Sequence, residues 1–434
     1  MTALSILAVV FTLLLLFGVP VSFCIGISTL LALFTVTPSI DSALIVSAQR
    51  VASSLDSFTL VAIPLFILAG TLMNTGGIAL RLIDLARVLV GWLPGSLAQI
   101  SVVANALFGA ISGSAVASAA SVGSTLSPLQ RQAGYNMPIC AAANVAASPC
   151  GLLIPPSGAL IIYSLISGGT PVDVLFVAGY IPGILMALSV MLWLHIVARR
   201  GDLPQDIQRY TWPQAGLIFW RALPALAMVV LVMGGIVLGV FTATEAAGAA
   251  AVYTLALSLI YRALSWKKLF DAMLSAAVGT AVVMLMVGVS MTMSWLLAST
   301  GAVTAIAEAI TDFSSNPIVL LLLFNVLLLL LGTFLDITPG LLILTPIFLP
   351  VALKLGISPV HFGIIITFNL CIGIATPPVG STLFVAARVA NVSLTQLTRP
   401  LLPMFAFLIV ALMLVTYIPS LSLWLPQVLL GKTG

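Results

Sequence analysis

Asp336 stands among apolar residues, in the segment Gly332-Thr333-Phe334-Leu335-Asp336-Ile337-Thr338-Pro339. A carboxylate in such surroundings costs several kcal/mol unless it is paired or coordinated. It can cap a helix starting at Ile337, which the following Thr-Pro favours, or it can hold a cation. The two roles are compatible, because a carboxylate has two oxygens. A second segment, Gly109-Ala110-Ile111-Ser112-Gly113-Ser114-Ala115, fits the tip of a re-entrant hairpin. Glycine permits the sharp turn there, and serine caps the next half-helix.

Two further segments should not survive as continuous helix. One runs from Ser148-Pro149-Cys150-Gly151 through Pro155-Pro156-Ser157-Gly158, the other is Gly373-Ile374-Ala375-Thr376-Pro377-Pro378-Val379-Gly380-Ser381. Proline removes a backbone donor and clashes with the preceding turn, costing about 3 kcal/mol in a helix interior. Carbonyls freed this way persist at membrane depth only when buried in protein or lining a polar cavity. Unwound carbonyls with Ser, Thr and Asp oxygens form a cage of hard ligands suited to a small cation such as Na⁺. Half-helix N-termini offer positive dipole ends to an anionic substrate. A lone Pro-Pro is more often a kink, and a Gly/Ser tip can be close helix packing. Four such sites, paired by an internal repeat, favour function.

Other polar residues divide less sharply. Arg388 follows the second broken stretch and either neutralises a substrate carboxylate or snorkels to the surface. Thr242-Ala243-Thr244-Glu245 fits a capping box, so Glu245 reads as structural. His195 at a helix end and His361 near a helix start read as interfacial rather than catalytic. Cys24, Cys140, Cys150 and Cys371 lack metal-type spacing and read as small core residues.

The elements that position these residues follow from composition. The 434 residues are 61% hydrophobic and only 6% charged, with net charge +4 and mean hydropathy +1.27. A soluble domain carries about a quarter charged residues, so the solvent here is lipid. Apolar runs of roughly 20 residues recur along the chain, and two-residue alternation is absent, so an all-α polytopic membrane protein is expected. No basic cluster suggests nucleic acid; membrane lipid is the expected surrounding. Met1 to Leu16 shows neither a basic leader nor a cleavage site and reads as a retained first helix. Leu4 to Phe34 is interrupted at Gly18-Val19-Pro20, as two helices or one broken one.

Arg81, Asp84 and Arg87 give Ile78–Val90 the pattern of an amphipathic arm on the membrane surface. Hydrophilic Arg199–Arg221, with Arg209, and the cluster Arg262, Lys267 and Lys268 are separated by an even number of crossings. Both therefore face the cytoplasm. Pro155-Pro156-Ser157-Gly158 matches Pro377-Pro378-Val379-Gly380 at constant offset, and Pro128, Gly134 and Gly151 match Pro350, Gly356 and Gly373. Arg131 and Lys354 almost coincide, and Asn74-Thr75-Gly76 resembles Ser299-Thr300-Gly301. The expected organisation is two inverted-topology repeats with re-entrant hairpins and discontinuous helices, substrate lying between them near the midplane. Scaffold helices would occupy 1–57, 221–268 and 400–434, the first repeat 58–220 and the second 269–399.

Ile111-Ser112-Gly113-Ser114-Ala115-Val116-Ala117, Gly239-Val240-Phe241-Thr242-Ala243-Thr244-Glu245-Ala246-Ala247 and Gly332-Thr333-Phe334-Leu335-Asp336 occur in order. With the two Pro-Pro-x-Gly stretches, they resemble the large permease subunit family of tripartite ATP-independent periplasmic (TRAP) transporters. The resemblance covers essentially the whole chain. One departure is Ser118, where the family more often carries Asp; were that acid a ligand or a cap, the first hairpin would be weaker here.

The resemblance implies an elevator-type secondary transporter of the bacterial inner membrane, coupled to Na⁺ at one site per repeat. By position, Ser112, Gly113, Ser114, Gly151 and Pro155 go to the first site, and Gly332, Thr333, Asp336, Gly373 and Thr376 to the second. Ser157, Gly158, Gly380, Ser381 and Arg388 go to the substrate. Implied partners are a small four-helix membrane subunit, a periplasmic solute-binding protein and a small organic anion. No cofactor beyond Na⁺ is expected, and no Walker-type Gly-x-x-x-x-Gly-Lys-Ser/Thr is present.

Competing readings are an ion-coupled anion carrier of similar design working without a binding protein, and a channel, since broken helices also build selectivity filters. A membrane enzyme would want clustered Asp, His or Glu, and the apolar spans offer little beyond Asp336.

Overall fold

The computed structural model describes residues 2–432 except 208–209, 303, 306–307, 309–315 and 378–379. Within them every regular element is helical. Seven helices are long and apolar enough to cross a membrane. The pair Met137–Leu153 and Gly158–Ile166, bent by 51° at its break, makes an eighth candidate span. Arg209, Pro378 and Val379, which belong to segments singled out above, lie outside the described residues.

Thr2–Leu16 and Val21–Leu33 are two separate helices. The chain turns between them at Gly18, whose φ of +75° suits a residue without Cβ. Leu7 and Phe11 pack with Val21 and with Met293 and Leu297 of a long helix, Trp266–Ser299. Ile40–Leu55 is capped by Ser39, whose hydroxyl accepts from the Ser42 amide, and Arg50 lies 5.3 Å over the Trp295 ring. Three more long helices are Ala62–Thr75, Trp212–Val237 and Ala243–Ile260. Thr242 and Glu245 form the expected capping box, the Thr242 amide donating to Glu245 Oε2 at 2.8 Å. Trp212–Val237 begins inside the hydrophilic stretch, because Thr211 and Gln214 cap it. Arg221 is therefore helical, and the loop ends at residue 211.

The first repeat holds a hairpin, Ser96–Ser112 and Ala115–Gln132, then a broken helix, Met137–Ala147, Cys150–Leu153 and Gly158–Ile166. The second holds a hairpin, Pro317–Gly332 and Ile337–Lys354, then Pro359–Gly373 and Ser381–Ala390. The repeat-matched glycines end their second hairpin helices in the same left-handed turn, Gly134 at φ +75° and Gly356 at φ +74°.

Contacts between the repeats fix their relative direction. The Tyr163 hydroxyl, near the end of the first broken helix, donates at 2.6 Å to the carbonyl of Pro359, where the second begins. Arg131, at the base of the first hairpin, donates at 2.8 Å to the Ala390 carbonyl, where the second broken helix ends. The two broken helices thus run oppositely, and the hairpins open to opposite faces. Tyr135, beside that base, is bonded to Leu97 N and to Asp206 of the basic loop. Burial, then the neighbouring Asp206, pushes the Tyr135 hydroxyl far above the phenol range. The first hairpin therefore opens toward the cytoplasm and the second away from it. The arm Ile78–Val90 stays on the cytoplasmic side, Arg81 stacking 3.3 Å over the Tyr261 ring.

Candidate functional site

Both hairpin tips and both helix breaks reach one cavity of about 190 Å³. The first tip supplies Gly113, Ser114, Ala115 and Val116, and the second supplies Asp336, Ile337 and Thr338. The first break supplies Leu152 and Gly158, and Ile374 comes from the second. The outer wall is Ile63 and Ile67 of helix Ala62–Thr75 and Val283 of helix Trp266–Ser299.

Local sequence explains each approach. Gly113 ends its helix at φ +62°, so the chain reverses with no Cβ strain. Ser114 then caps Ala115–Gln132, its hydroxyl accepting from the Ala117 amide. Asp336 does the same for Ile337–Lys354, accepting from the Ile337 amide at 2.8 Å through Oδ1. The capping role expected for Asp336 is thus present, and the carboxylate still faces the cavity. Ser157 caps Gly158–Ile166 and also donates to the Leu152 carbonyl across the break.

Of the assigned positions only Gly113, Ser114, Gly158 and Asp336 line the cavity, and the remaining ones do not. Gly151 is pressed on Gly109 and Gly373 on Gly332, backbone to backbone. Thr333 and Thr376 donate to their own helices, at Leu330 O and Ile372 O, both 2.7 Å. The Ser112 hydroxyl spans the tip toward Ser114 at 3.4 Å. Gly380 folds over the Ile374 and Thr376 carbonyls. The Ser381 hydroxyl is buried with no hydrogen-bond partner among the described residues. Pro155 lines a separate apolar slot between the first hairpin and helix Trp212–Val237. Arg388 is exposed and lies outside the cavity lining.

Several residues that position the site carried no recognised signal. Asn105 donates at 2.8 Å to Asn144 and Asn369 at 2.8 Å to Asn325, so each hairpin is bonded to the broken helix of its own repeat. Ser118, at the position where Asp was expected, is fully buried and donates at 2.8 Å to Asn105 Oδ1. It belongs to this bonding set and not to the cavity lining. Gly70 brings helix Ala62–Thr75 onto the Ser112 carbonyl, where a Cβ would come within 2.6 Å. His361 is 3% exposed, bonded to Ser422 Oγ and the Thr416 carbonyl. His195, at the end of helix Val172–Arg199, is half-buried. All four cysteines are buried and free. Among the described residues no group of three or more His, Cys, Asp or Glu could hold a metal ion.

Comparison with known proteins places this geometry. The family model described as "Tripartite ATP-independent periplasmic transporter, DctM component" matches residues 8–421. The uncharacterized protein YgiK of Salmonella typhimurium is 51% identical over 96% of this chain and 95% of its own. The C4-dicarboxylate TRAP transporter large permease protein DctM of Pseudomonas aeruginosa is 38% identical over 93% of each chain. Among solved structures, the YdaH transporter of Alcanivorax borkumensis superposes with a TM-score of 0.60 at 16% identity. The match covers 87% of this chain and 89% of that one, a likeness of fold. The chain, a multi-pass protein of the bacterial inner membrane, belongs to the DctM component family of tripartite ATP-independent periplasmic transporters.

Proposed function

We propose that this chain is the large membrane subunit of a Na⁺-coupled, binding-protein-dependent importer of a small organic anion. Its partners in this reading are a small four-helix membrane subunit and a periplasmic solute-binding protein. The observation that carries it is the convergence of both hairpin tips and both helix breaks on one cavity, closed on its outer side by scaffold residues. A body of hairpins and broken helices sliding against that scaffold would carry the cavity from one face to the other. The opposed hairpins supply a matching gate for each side.

Each repeat would hold one Na⁺ where its tip meets its break. Asp336 has an oxygen beyond the one that caps, and the buried Ser381 hydroxyl has no hydrogen-bond partner among the described residues. The helix N-termini at Ala115, Gly158 and Ile337 supply positive dipole ends toward an anion. Two Na⁺ carried inward with a monoanion move one net charge. That gains about 2.3 kcal/mol per 100 mV, in addition to the Na⁺ gradient.

The test compares melting temperature of the purified chain in NaCl, KCl and choline chloride at equal ionic strength, beside Asp336→Asn. Asparagine caps a helix about as well as aspartate, so the variant keeps the fold and removes the charge. A ligand binding only the folded state stabilises it by RT ln(1 + [L]/Kd). Saturable stabilisation specific to Na⁺ and lost in Asp336→Asn is expected. Equal melting in the three salts would refute Na⁺ sites in this subunit.

A further inference from the structure

The cavity is polar on one side only. Ser114, Asp336 and Thr338 lie at the hairpin tips, whereas the scaffold wall is Ile63, Ile67 and Val283. Leu152, Ile162 and Ile374 extend the apolar surface around the breaks. None of the described residues lining the cavity is basic, and the one charged side chain among them, Asp336, is an acid. Ile63 is 3% exposed, and a Cβ on Gly279 of the neighbouring helix would sit 3.6 Å from Ile67 Cγ2, so this wall is held by packing.

An anion here meets its charge at the hairpin tips and at the helix start at Gly158, through hydroxyls, backbone dipoles and the coupling cation, and not on the Ile63–Ile67–Val283 wall. A second carboxylate or a row of hydroxyls at the far end would face isoleucine and valine, losing its water with no donor in exchange. The volume is about that of six waters, smaller than the 300–1,000 Å³ or so typical of drug-sized ligands. In the transport reading above, the helices that carry this wall stay still while the hairpins and broken helices move. A substrate end bonded to it would have to break those bonds as the body slides, whereas an aliphatic end would not.

Resting on the transport reading above, we propose that this cavity selects a small monocarboxylate with an aliphatic body, head group at the hairpin tips and tail on the Ile63–Ile67–Val283 wall, and rejects dicarboxylates. The discrimination comes from the polarity of the lining and not from size, since the acids compared below have equal numbers of heavy atoms.

Melting temperature of the detergent-purified chain is titrated with 3-methyl-2-oxobutanoate and with succinate, each in NaCl and in choline chloride. The branched monoacid is expected to half-saturate at a concentration at least about tenfold below succinate, the scale on which an apolar pocket discriminates. Ile67→Arg places a cation on the wall and is expected to reverse the order. Should that variant fail to fold, Val283→Asn makes the same wall polar and is expected to narrow the ratio severalfold. Succinate binding as tightly as the monoacid, or no response to either acid, would overturn the proposal. The failure of Na⁺ coupling is read separately, as equal acid affinities in the two salts; the order of the acids decides the substrate class either way.

Discussion

Gly151 lies so close to Gly109 that a Cβ on it would come 2.1 Å from the Gly109 carbonyl carbon. The second repeat reproduces the relationship, with a Cβ on Gly373 falling 2.5 Å from the same atom of Gly332. Backbone is in contact with backbone at both crossings, so no rotamer change can make room. Gly151→Ala and Gly373→Ala are each expected to lower stability by about 1–3 kcal/mol, the range for overpacked cores, and to impair transport. Gly216→Ala is the control. It sits in helix Trp212–Val237 with nothing within 4 Å of its added Cβ, and should be neutral or slightly stabilising. Melting temperatures of the three variants in detergent check the ordering.

The asparagine pairs predict coupled losses. Asn105 Nδ2 donates to Asn144 Oδ1 and to Ser101 O, while its Oδ1 accepts from Ser118. Asn144 in turn donates to the Ala119 carbonyl at 2.8 Å, tying both hairpin helices to the broken helix. Asn105→Leu strands polar atoms on two neighbours, and a cost of about 1–2 kcal/mol is expected in this environment. Asn144→Leu should cost as much, and the double variant clearly less than the sum. Additive losses in that cycle would mean that the two side chains do not interact.

How much of this was legible in sequence depends on whether the signal is local. The hairpin turn at Gly113-Ser114 and the cap at Asp336 follow from residue types over a few positions, and the structure has both. The Gly109–Gly151 and Gly332–Gly373 crossings join residues about forty apart. Glycine alone marks a close approach without naming its partner. Pairing of Asn105 with Asn144 is equally nonlocal, and a lone asparagine in an apolar helix has no distinctive pattern. The packing around His361 was hidden for a related reason. Its position near a helix start points to the interface, but helix Ser420–Leu430 folds back and covers it through Ser422. The cavity wall was invisible because Ile63, Ile67 and Val283 are three apolar residues among many.

Contacts that close the molecule at its two ends should differ in weight. Arg131 reaches the Ala390 carbonyl at the C-terminus of helix Ser381–Ala390, where a cation also meets the negative end of the helix dipole. Arg131→Gln is expected to cost about 1–2 kcal/mol. Lys432 and Asp173 pair at 3.0 Å, with side chains 58% and 25% exposed. Such surface pairs contribute about 0–1 kcal/mol and weaken with salt. Lys432→Ala should therefore shift melting little at low salt and not measurably at high salt. A larger loss for Lys432→Ala than for Arg131→Gln would reverse this ranking.

Orientation of the repeats can be read by chemical labelling. Asp202 sits in the basic loop beside Arg199 and Arg200, and Asp173 marks the opposite end of helix Val172–Arg199. Lys432, bonded to Asp173, lies at that opposite end. All four native cysteines are buried, so an impermeant maleimide should find little background. In intact spheroplasts Lys432→Cys is expected to label and Asp202→Cys to stay unlabelled until the membrane is permeabilised. A cysteine at Lys354, at the base of the second hairpin, should behave like Lys432→Cys. One at Arg131, at the base of the first, should behave like Asp202→Cys, because the two hairpins open to opposite faces. Labelling of the Lys354 and Arg131 positions from the same side would contradict the inverted repeats, whichever side that proved to be. Reversal of all four together would keep the fold and overturn only the assignment of the basic loops to the cytoplasm.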